Sequence, residues 1–310
     1  MGVWTPEIES KLLALRERFR DLTANDIADI INIENDVALT GDQVSGKLRR
    51  LKRIPLDLTV AGLSLMDYPA TVVSVSGDAA ICACVHVPQT DPEMWERYLQ
   101  VIDRHALPLA IIAGDIVTGD MFSHWDIKEA YRWEQEIESL RKHLVPLAER
   151  VERIVILPGN HIANRIVRIS GGHIKLAQVI DMARIPDALR ERITTTDLDY
   201  LDYSSGPERF YVAHSANYSR DGGKVPVKYA EKYQRHVIAG NGHQIGWQVT
   251  PSGEYHGIDL GTMADPKYMG YAQRTLTLFP KMLQSFVTVR DGAVRMYGKG
   301  TPLTDWSAEV

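Results

Sequence analysis

The chain has 310 residues, of which 45% are hydrophobic and 24% charged, and its formal charge is −5. These values exclude a disordered chain, a collagen-like repeat and a coiled-coil rod, and no apolar run is long enough for a spanning helix. The charge also argues against a protein that coats nucleic acid over its whole surface. No secretory signal is visible at the start, so we expect a soluble cytoplasmic protein with no membrane partner.

The first fifty residues predict three short helices, each opened by a capping threonine and continued by apolar residues at helical spacing. The capping positions are Thr5, Thr23 and Thr40. Thr40 is followed three residues later by Gln43, which completes a capping box. Three short helices within residues 1–53 predict a tri-helical unit, an arrangement that commonly binds DNA.

The third predicted helix carries five of the nine Lys and Arg residues found in positions 1–53. They are Lys47, Arg49, Arg50, Lys52 and Arg53. Cations concentrated on one helix are what a recognition helix in the major groove requires. The alternative is a solvated helix face, because cations are also favoured near a helix carboxyl end.

The order of motifs resembles the helix-turn-helix of GcrA-type and Myb-like DNA-binding domains. The resemblance covers roughly residues 3–53, and it rests on Trp4-Thr5-Pro6-Glu7, Asp26-Ile27-Ala28 and the run from Val44 to Leu51. It implies that the unit binds DNA through its third helix.

Beyond a predicted linker over residues 54–70, short β-rich runs alternate with helices. Strands are predicted over residues 71–76, 80–87, 109–113, 153–157, 207–214, 236–240, 245–250, 255–260 and 284–297, and helices over 91–105 and 127–151. Residues 291–292 read as a hairpin turn within the last run. Strands that alternate with helices, followed by strands in an antiparallel arrangement, predict an α/β sandwich over residues 71–300, with residues 301–310 as a tail.

The chain has two cysteines, Cys82 and Cys84, too few for a disulfide framework. Because they are two residues apart in a predicted strand, their side chains should point the same way, as reduced thiols. Cys84 could equally be a small buried apolar residue.

Polar residues stand at the carboxyl ends of several predicted strands. They are Cys84 and His86, then Gly114-Asp115, Gly159-Asn160-His161, His214, and Gly240-Asn241-Gly242-His243. The carboxyl ends of buried strands converge on one crevice in an open α/β sheet. Oxygen and imidazole donors there suit Mn, Fe or Zn better than Ca, and two ions can clamp a phosphate and generate a hydroxide.

This series resembles the calcineurin-like metallophosphoesterases over roughly residues 70–298, which implies an αββα sandwich with mixed sheets. Gly114-Asp115 and Gly159-Asn160-His161 match the family's second and third blocks without change. By resemblance, Asp115 bridges two metals, Asn160 and His214 bind the second ion, and His86 and His243 bind the first. His161 would instead contact phosphate and protonate the leaving group. Asn164 and Arg165, just beyond it, could meet the substrate phosphate.

Two positions depart from the family pattern. Cys84 stands where the family has its first Asp, and Asn241 stands where the last block has its first His. In an alternative alignment His243 takes that first position and Ile245 replaces the second His. Cysteine and asparagine can both donate to a metal, and a thiolate would favour Zn or Fe.

Two functions remain open from the sequence. The first is a metal-dependent phosphodiesterase or nuclease directed to DNA by the amino-terminal unit, a pairing of the sort found in phage-encoded enzymes. The second is a degenerate phosphoesterase fold that serves as a DNA-binding or assembly module.

Overall fold

A computed structural model describes residues 4–18, 23–35, 37–51, 72–123, 131–268 and 282–303. The chain forms two compact units, Met1–Asp67 and Tyr68–Val310. The predicted linker over residues 54–70 lies outside the described residues, as do residues 304–310 of the predicted tail. Within the described ranges, no helix combines the length and the apolar character that a membrane crossing needs.

The amino-terminal unit contains three helices: α1 (Pro6–Arg18), α2 (Ala24–Asn35) and α3 (Gly41–Leu51). Both capping boxes form, because Thr23 exchanges hydrogen bonds with Asp26 and Thr40 with Gln43. The three helices share one apolar core, whose buried members are Ile8, Leu12, Ile27, Ala28, Ile31, Leu39 and Val44. The predicted caps and the tri-helical arrangement are therefore present.

The cations of α3 do not share one environment. The Lys47 ammonium pairs with Glu9 and lies 5.5 Å from the centre of the Trp4 ring, so this side chain ties α3 to α1. Lys52 and Arg53, and the side chains of Arg49 and Arg50, lie outside the described residues.

The larger unit is built from two six-stranded mixed sheets. The first has the order β1 (Ser74–Ser76), β6 (Tyr200–Ser205), β7 (Glu208–His214), β8 (His236–Gly240), β10 (His256–Leu260) and β9 (Ile245–Val249). The second has the order β12 (Ala293–Gly298), β11 (Ser285–Arg290), β2 (Ala79–Cys82), β3 (Leu109–Ile112), β4 (Arg153–Ile156) and β5 (Ile193–Thr195). β2 through β5 run parallel, as do β7, β8 and β10.

Helices cover the outer face of each sheet, which gives the αββα sandwich. The helices of this unit are α4 (Pro92–His105), α5 (Trp133–Arg150), α6 (Gly159–His161), α7 (Leu176–Met182), α8 (Asp187–Arg190) and α9 (Lys224–Tyr233). One apolar core joins α4, α5 and α7 to the second sheet, and a small one joins α9 to the first. A third core, which includes Ile111 of β3 and Val212 of β7, lies between the sheets.

The predicted strand over residues 80–87 is too long, because β2 ends at Cys82. Cys84 and His86 have φ angles of 53° and 51°, which are left-handed and end the pleat. The expectation that Cys82 and Cys84 point the same way is therefore wrong. Cys82 packs in the core beneath the helices, whereas Cys84 packs in the core between the sheets.

Other bounds also differ from the sequence prediction. The predicted helix over residues 127–151 begins at Trp133, after an extended N-cap at Arg132, and residues 124–130 lie outside the described residues. The hairpin predicted over residues 284–297 is confirmed, because β11 and β12 pair antiparallel and turn at Asp291 and Gly292. β5, β6, α7 and α9 were not predicted. They are short, between three and ten residues, and contacts with neighbouring elements determine their structure.

Candidate metal centre

The carboxyl ends of five strands meet at one edge of the sandwich. The segments that follow β2, β3 and β4 come from the second sheet, and those at the ends of β7 and β8 come from the first. The side chains brought together there are Cys84, His86, Asp115, Asn160, His161, His214, Asn241 and His243, linked by the contacts described next. All eight sequence-predicted positions of the crevice thus lie in one network.

One group of donors contains Cys84, His86 and His243, whose ligand atoms all lie within 4.8 Å of one another. The two imidazoles turn their Nε2 atoms toward each other at 3.3 Å. Two nitrogens that bind one tetrahedral ion at about 2.1 Å would be about 3.4 Å apart. This donor set fits a divalent cation.

A second group of donors lies beside the first. His214 Nε2 is 3.2 Å from Asp115 Oδ2 and 2.9 Å from Asn160 Oδ1, so three potential ligand atoms face one point. His214 Nδ1 contacts the carbonyl oxygen of Ala113 at 2.9 Å, which orients the ring toward the carboxylate. Ligand atoms of Cys84, Asp115 and His214 also lie within 4.8 Å of one another. Cys84 and Asp115 therefore lie between the two groups.

Asn241 takes part in the crevice through hydrogen bonds. Its backbone N–H donates to Cys84 Sγ at 3.3 Å, and its Nδ2 donates to the Ser215 carbonyl at 2.6 Å. The imidazole that meets His86 belongs to His243, the second histidine position in the preferred alignment.

The backbone around these donors is strained. Cys84, His86, Asp115, Asn241 and His243 all have left-handed φ angles, between 51° and 95°. Such conformations cost roughly 1–3 kcal/mol each at non-glycine residues and cluster at functional sites. The strain turns side chains from the ends of the strands into a shared crevice.

Two glycines allow the donors to approach closely. A Cβ on Gly114 would lie 2.3 Å from His214 Nδ1, and one on Gly159 would lie 2.4 Å from Asp115 Oδ1. Both glycines also have positive φ angles, of 87° and 73°. The glycines of the two intact blocks are therefore required by space as well as by conformation.

Burial controls the protonation of the imidazoles. It lowers the pKa of His86 well below its ordinary value, with the neighbouring His161 adding to the effect, and it lowers the pKa of His243 to about 4. Both rings are therefore neutral near pH 7, which is the form that binds a metal. Burial likewise raises the pKa of the Cys84 thiol well above its ordinary value, and the Asp115 charge raises it further. A thiolate at Cys84 would need a cation beside it.

Asp115 and His214 form a coupled pair. Burial alone would raise the pKa of Asp115, but His161 and His214 hold it well below its ordinary value. Burial alone would lower the pKa of His214, but the Asp115 carboxylate raises it. Asp115 is thus an ionised carboxylate, as a bridging ligand must be.

His161 lies beside Asp115 and His86, and ligand atoms of these three residues also lie within 4.8 Å of one another. Its Nδ1 contacts the Thr118 carbonyl oxygen at 2.7 Å, and its Nε2 is 3.9 Å from Asp115 Oδ2. Its backbone N–H donates to Asp115 Oδ1 at 2.8 Å. With Nδ1 as the donor to a carbonyl, Nε2 is the nitrogen that can exchange a proton with a bound molecule.

The two predicted substrate contacts are placed differently. Arg165 is half-buried one turn beyond His161, donates to the Thr118 carbonyl at 2.8 Å and lies 3.6 Å from Asp120 Oδ1. Asn164 is exposed on the same turn.

Three carboxylates near the crevice were missed by sequence reasoning: Asp259 and Glu136, which are buried, and Asp199, which is exposed. Asp199 accepts a hydrogen bond from the Gly159 N–H, and Asp259 accepts one from the Gly223 N–H. Burial raises the pKa of Asp259 to about 6. Burial also raises the pKa of Glu136, a residue of α5, to about 7. The sequence sign of a buried carboxylate is an acidic residue within an otherwise apolar stretch. Glu136 lacks this sign because the sequence of α5 is rich in charged residues.

The pKa of Glu136 predicts how stability depends on pH. The folded protein binds the proton of the Glu136 carboxyl group more tightly than the unfolded chain does. Proton binding at Glu136 therefore contributes fully to the free energy of unfolding below about pH 4.5, and this contribution is lost as pH rises through about 7. Gln does not titrate. We therefore expect the free energy of unfolding of wild type, relative to Glu136→Gln, to fall by about 2 kcal/mol between pH 5 and pH 8.

Urea unfolding at the two pH values measures this difference. Glu138→Gln is the matched control, because Glu138 is an exposed residue of the same helix that pairs with Lys142. If the free energies of unfolding of wild type and Glu136→Gln changed equally between pH 5 and pH 8, the expectation would be contradicted.

No protein-family model matches the chain, and no curated protein matches it either. Among solved structures, the phosphoesterase YfcE from E. coli matches with a TM-score of 0.39 and 11% identity, over 72% of this chain and 93% of that one. Vps29 from Chaetomium thermophilum matches with a TM-score of 0.35 and 9% identity, over 68% of this chain and 79% of that one. Vps29 from Entamoeba histolytica, complexed with Zn²⁺, matches with a TM-score of 0.36 and 10% identity, over 71% of this chain and 97% of that one. These are similarities of fold and do not extend to chemistry.

Proposed function

We propose that the larger unit is a calcineurin-like metallophosphoesterase that hydrolyses phosphodiesters, with DNA as the substrate class. The observation that carries the proposal is the pair of adjoining donor groups, one around the two Nε2 atoms 3.3 Å apart and one around Asp115, Asn160 and His214. Adjoining donor groups of this kind would hold two cations.

Bound Mn, Zn or Fe would polarise the phosphoryl oxygens and supply a hydroxide near neutral pH. Cys84, His86 and His243 would hold one ion, Asn160 and His214 the other, and the ionised Asp115 would bridge them. His161 would keep one proton on Nδ1, take up a second from solvent at Nε2 and pass that second proton to the leaving oxygen, which returns the ring to its neutral form, and Arg165 would face the phosphate.

The experiment is metal analysis and turnover on one preparation of the full chain. Protein purified without chelator should contain about two metal equivalents and hydrolyse a chromogenic phosphodiester with Mn, Zn or Fe. Absence of both metal and turnover would contradict the proposal.

The second candidate is a degenerate phosphoesterase fold that serves as a DNA-binding or assembly module. It is favoured by the buried Cys84 thiol and by Asn241, whose amide nitrogen is already used by Ser215. Metal analysis separates the two candidates, because a degenerate module would contain none.

We further propose that the amino-terminal unit directs the protein to duplex DNA. The capped tri-helical arrangement and the cations of α3 support this. Because Lys47 pairs internally with Glu9, the remaining candidate contacts are Arg49, Arg50, Lys52 and Arg53, and the first two are tested here.

Arg49→Ala combined with Arg50→Ala should weaken binding of the full chain to duplex DNA and reduce the salt slope by about 2, because each phosphate contact contributes about one. Fluorescence anisotropy over a salt series measures both. Arg104→Ala with Arg150→Ala, in the larger unit, is the control for loss of positive charge. An unchanged slope in the Arg49 and Arg50 variant would contradict the assignment.

A further inference from the structure

Glu136 is a buried carboxylate outside the metal centre. It lies on α5 with a solvent-exposed fraction of 0%, and both of its oxygens are used. Oε2 accepts the Gly119 N–H at 2.6 Å, and Oε1 accepts the Asp120 N–H at 3.0 Å. The carboxylate therefore holds the loop that follows β3.

The Gly119 N–H belongs to the same peptide group as the Thr118 carbonyl. That carbonyl oxygen accepts His161 Nδ1 at 2.7 Å and an Arg165 guanidinium N–H at 2.8 Å. The peptide group is planar and rigid, so a carboxylate that fixes the N–H also fixes the direction of the carbonyl. An acceptor on the N–H also polarises the group and strengthens the carbonyl as an acceptor.

We infer that Glu136 is a positioning residue for His161, acting through the peptide group between Thr118 and Gly119. The carboxylate aims the carbonyl at Nδ1, the carbonyl keeps the proton on Nδ1, and Nε2 faces the crevice. The catalytic part of this inference rests on the proposed function, whereas the orientation and tautomer of the ring do not depend on turnover.

The surroundings of Glu136 support a role beyond packing. Burying a carboxylate costs several kcal/mol, and two backbone hydrogen bonds offset that cost only in part. The nearby cation, Arg165, lies 3.6 Å from the carboxylate of Asp120. Thr118 is held independently, because its Oγ1 donates to the carbonyl of Val87 at 3.0 Å. The loop therefore has another anchor, and what Glu136 adds is the direction of this peptide group.

The test compares wild type, Glu136→Gln and Glu138→Gln by NMR and by kinetics. In metal-free protein, long-range ¹⁵N–¹H spectra should show His161 protonated at Nδ1 in wild type and in Glu138→Gln, and a mixture of tautomers in Glu136→Gln. In the metal-loaded protein, kcat of Glu136→Gln should fall about tenfold or more with KM nearly unchanged.

Three results would overturn the inference. They are a neutral His161 in wild type whose single proton is on Nε2, an unchanged tautomer in folded Glu136→Gln, and failure to fold of both Glu136→Gln and a second variant with a shorter carboxylate, Glu136→Asp, which would make Glu136 a residue of the fold alone. Because the spectra need no turnover, an inactive wild type would count against the proposed function and leave the tautomer result to decide the role of Glu136.

Discussion

Asp115→Asn should remove bound metal and phosphodiester hydrolysis together. Asp115 lies between the two donor groups, and its carboxylate is the charge that His161 and His214 face. An amide of the same shape can still accept the backbone N–H of His161, which now donates to Oδ1 at 2.8 Å, so the fold should persist. Without the anion, neither donor group retains a bridging ligand, and we expect metal content near zero and a rate at background.

His161→Ala is the matched comparison for Asp115→Asn. His161 contributes no atom to either donor group in the proposed arrangement, so this variant should keep its metal. Loss of a general acid should lower kcat by about 10²–10⁴-fold. Elemental analysis, melting temperature and turnover are measured on both proteins. Full metal content and full activity in folded Asp115→Asn would contradict its bridging role.

The sequence predicted the positions of the crevice because the donors follow apolar strands at fixed points. Gly114 and Gly159 mark two of those points, since a side chain at either would collide with a donor of the crevice. Because only glycine fits at these two positions, the blocks that contain them can be recognised from local sequence alone.

The support around His161 could not be predicted in the same way. Thr118 contributes a backbone carbonyl, which any residue would provide, and Glu136 is one acidic residue in a charged helix. Likewise, the apolar run over residues 80–87 gave no sign that the chain leaves the strand after Cys82, because a left-handed φ at Cys84 has no signature in hydrophobicity. Backbone direction and long-range hydrogen bonds depend on tertiary contacts.

Cys84 decides between an active centre and a degenerate one. Its Sγ lies among the ligand atoms of both donor groups, yet the buried thiol stays protonated unless a cation is beside it. Aspartate suits this position in two respects. Asp tolerates a left-handed backbone better than most residues, and a carboxylate oxygen can accept the Asn241 N–H that Sγ now accepts.

Cys84→Asp should therefore be destabilised by about 3–5 kcal/mol in chelator, because an unpaired buried charge is costly. Added Mn should restore its stability and shift turnover from Zn toward Mn, since oxygen ligands favour the harder ion. Cys82→Asp is the matched control, because Cys82 is equally buried but packs beneath the helices. Both variants should lose stability in chelator, and only Cys84→Asp should recover it with Mn. Loss of stability at Cys84 with no recovery would mean that the thiol is packing and that the centre is degenerate.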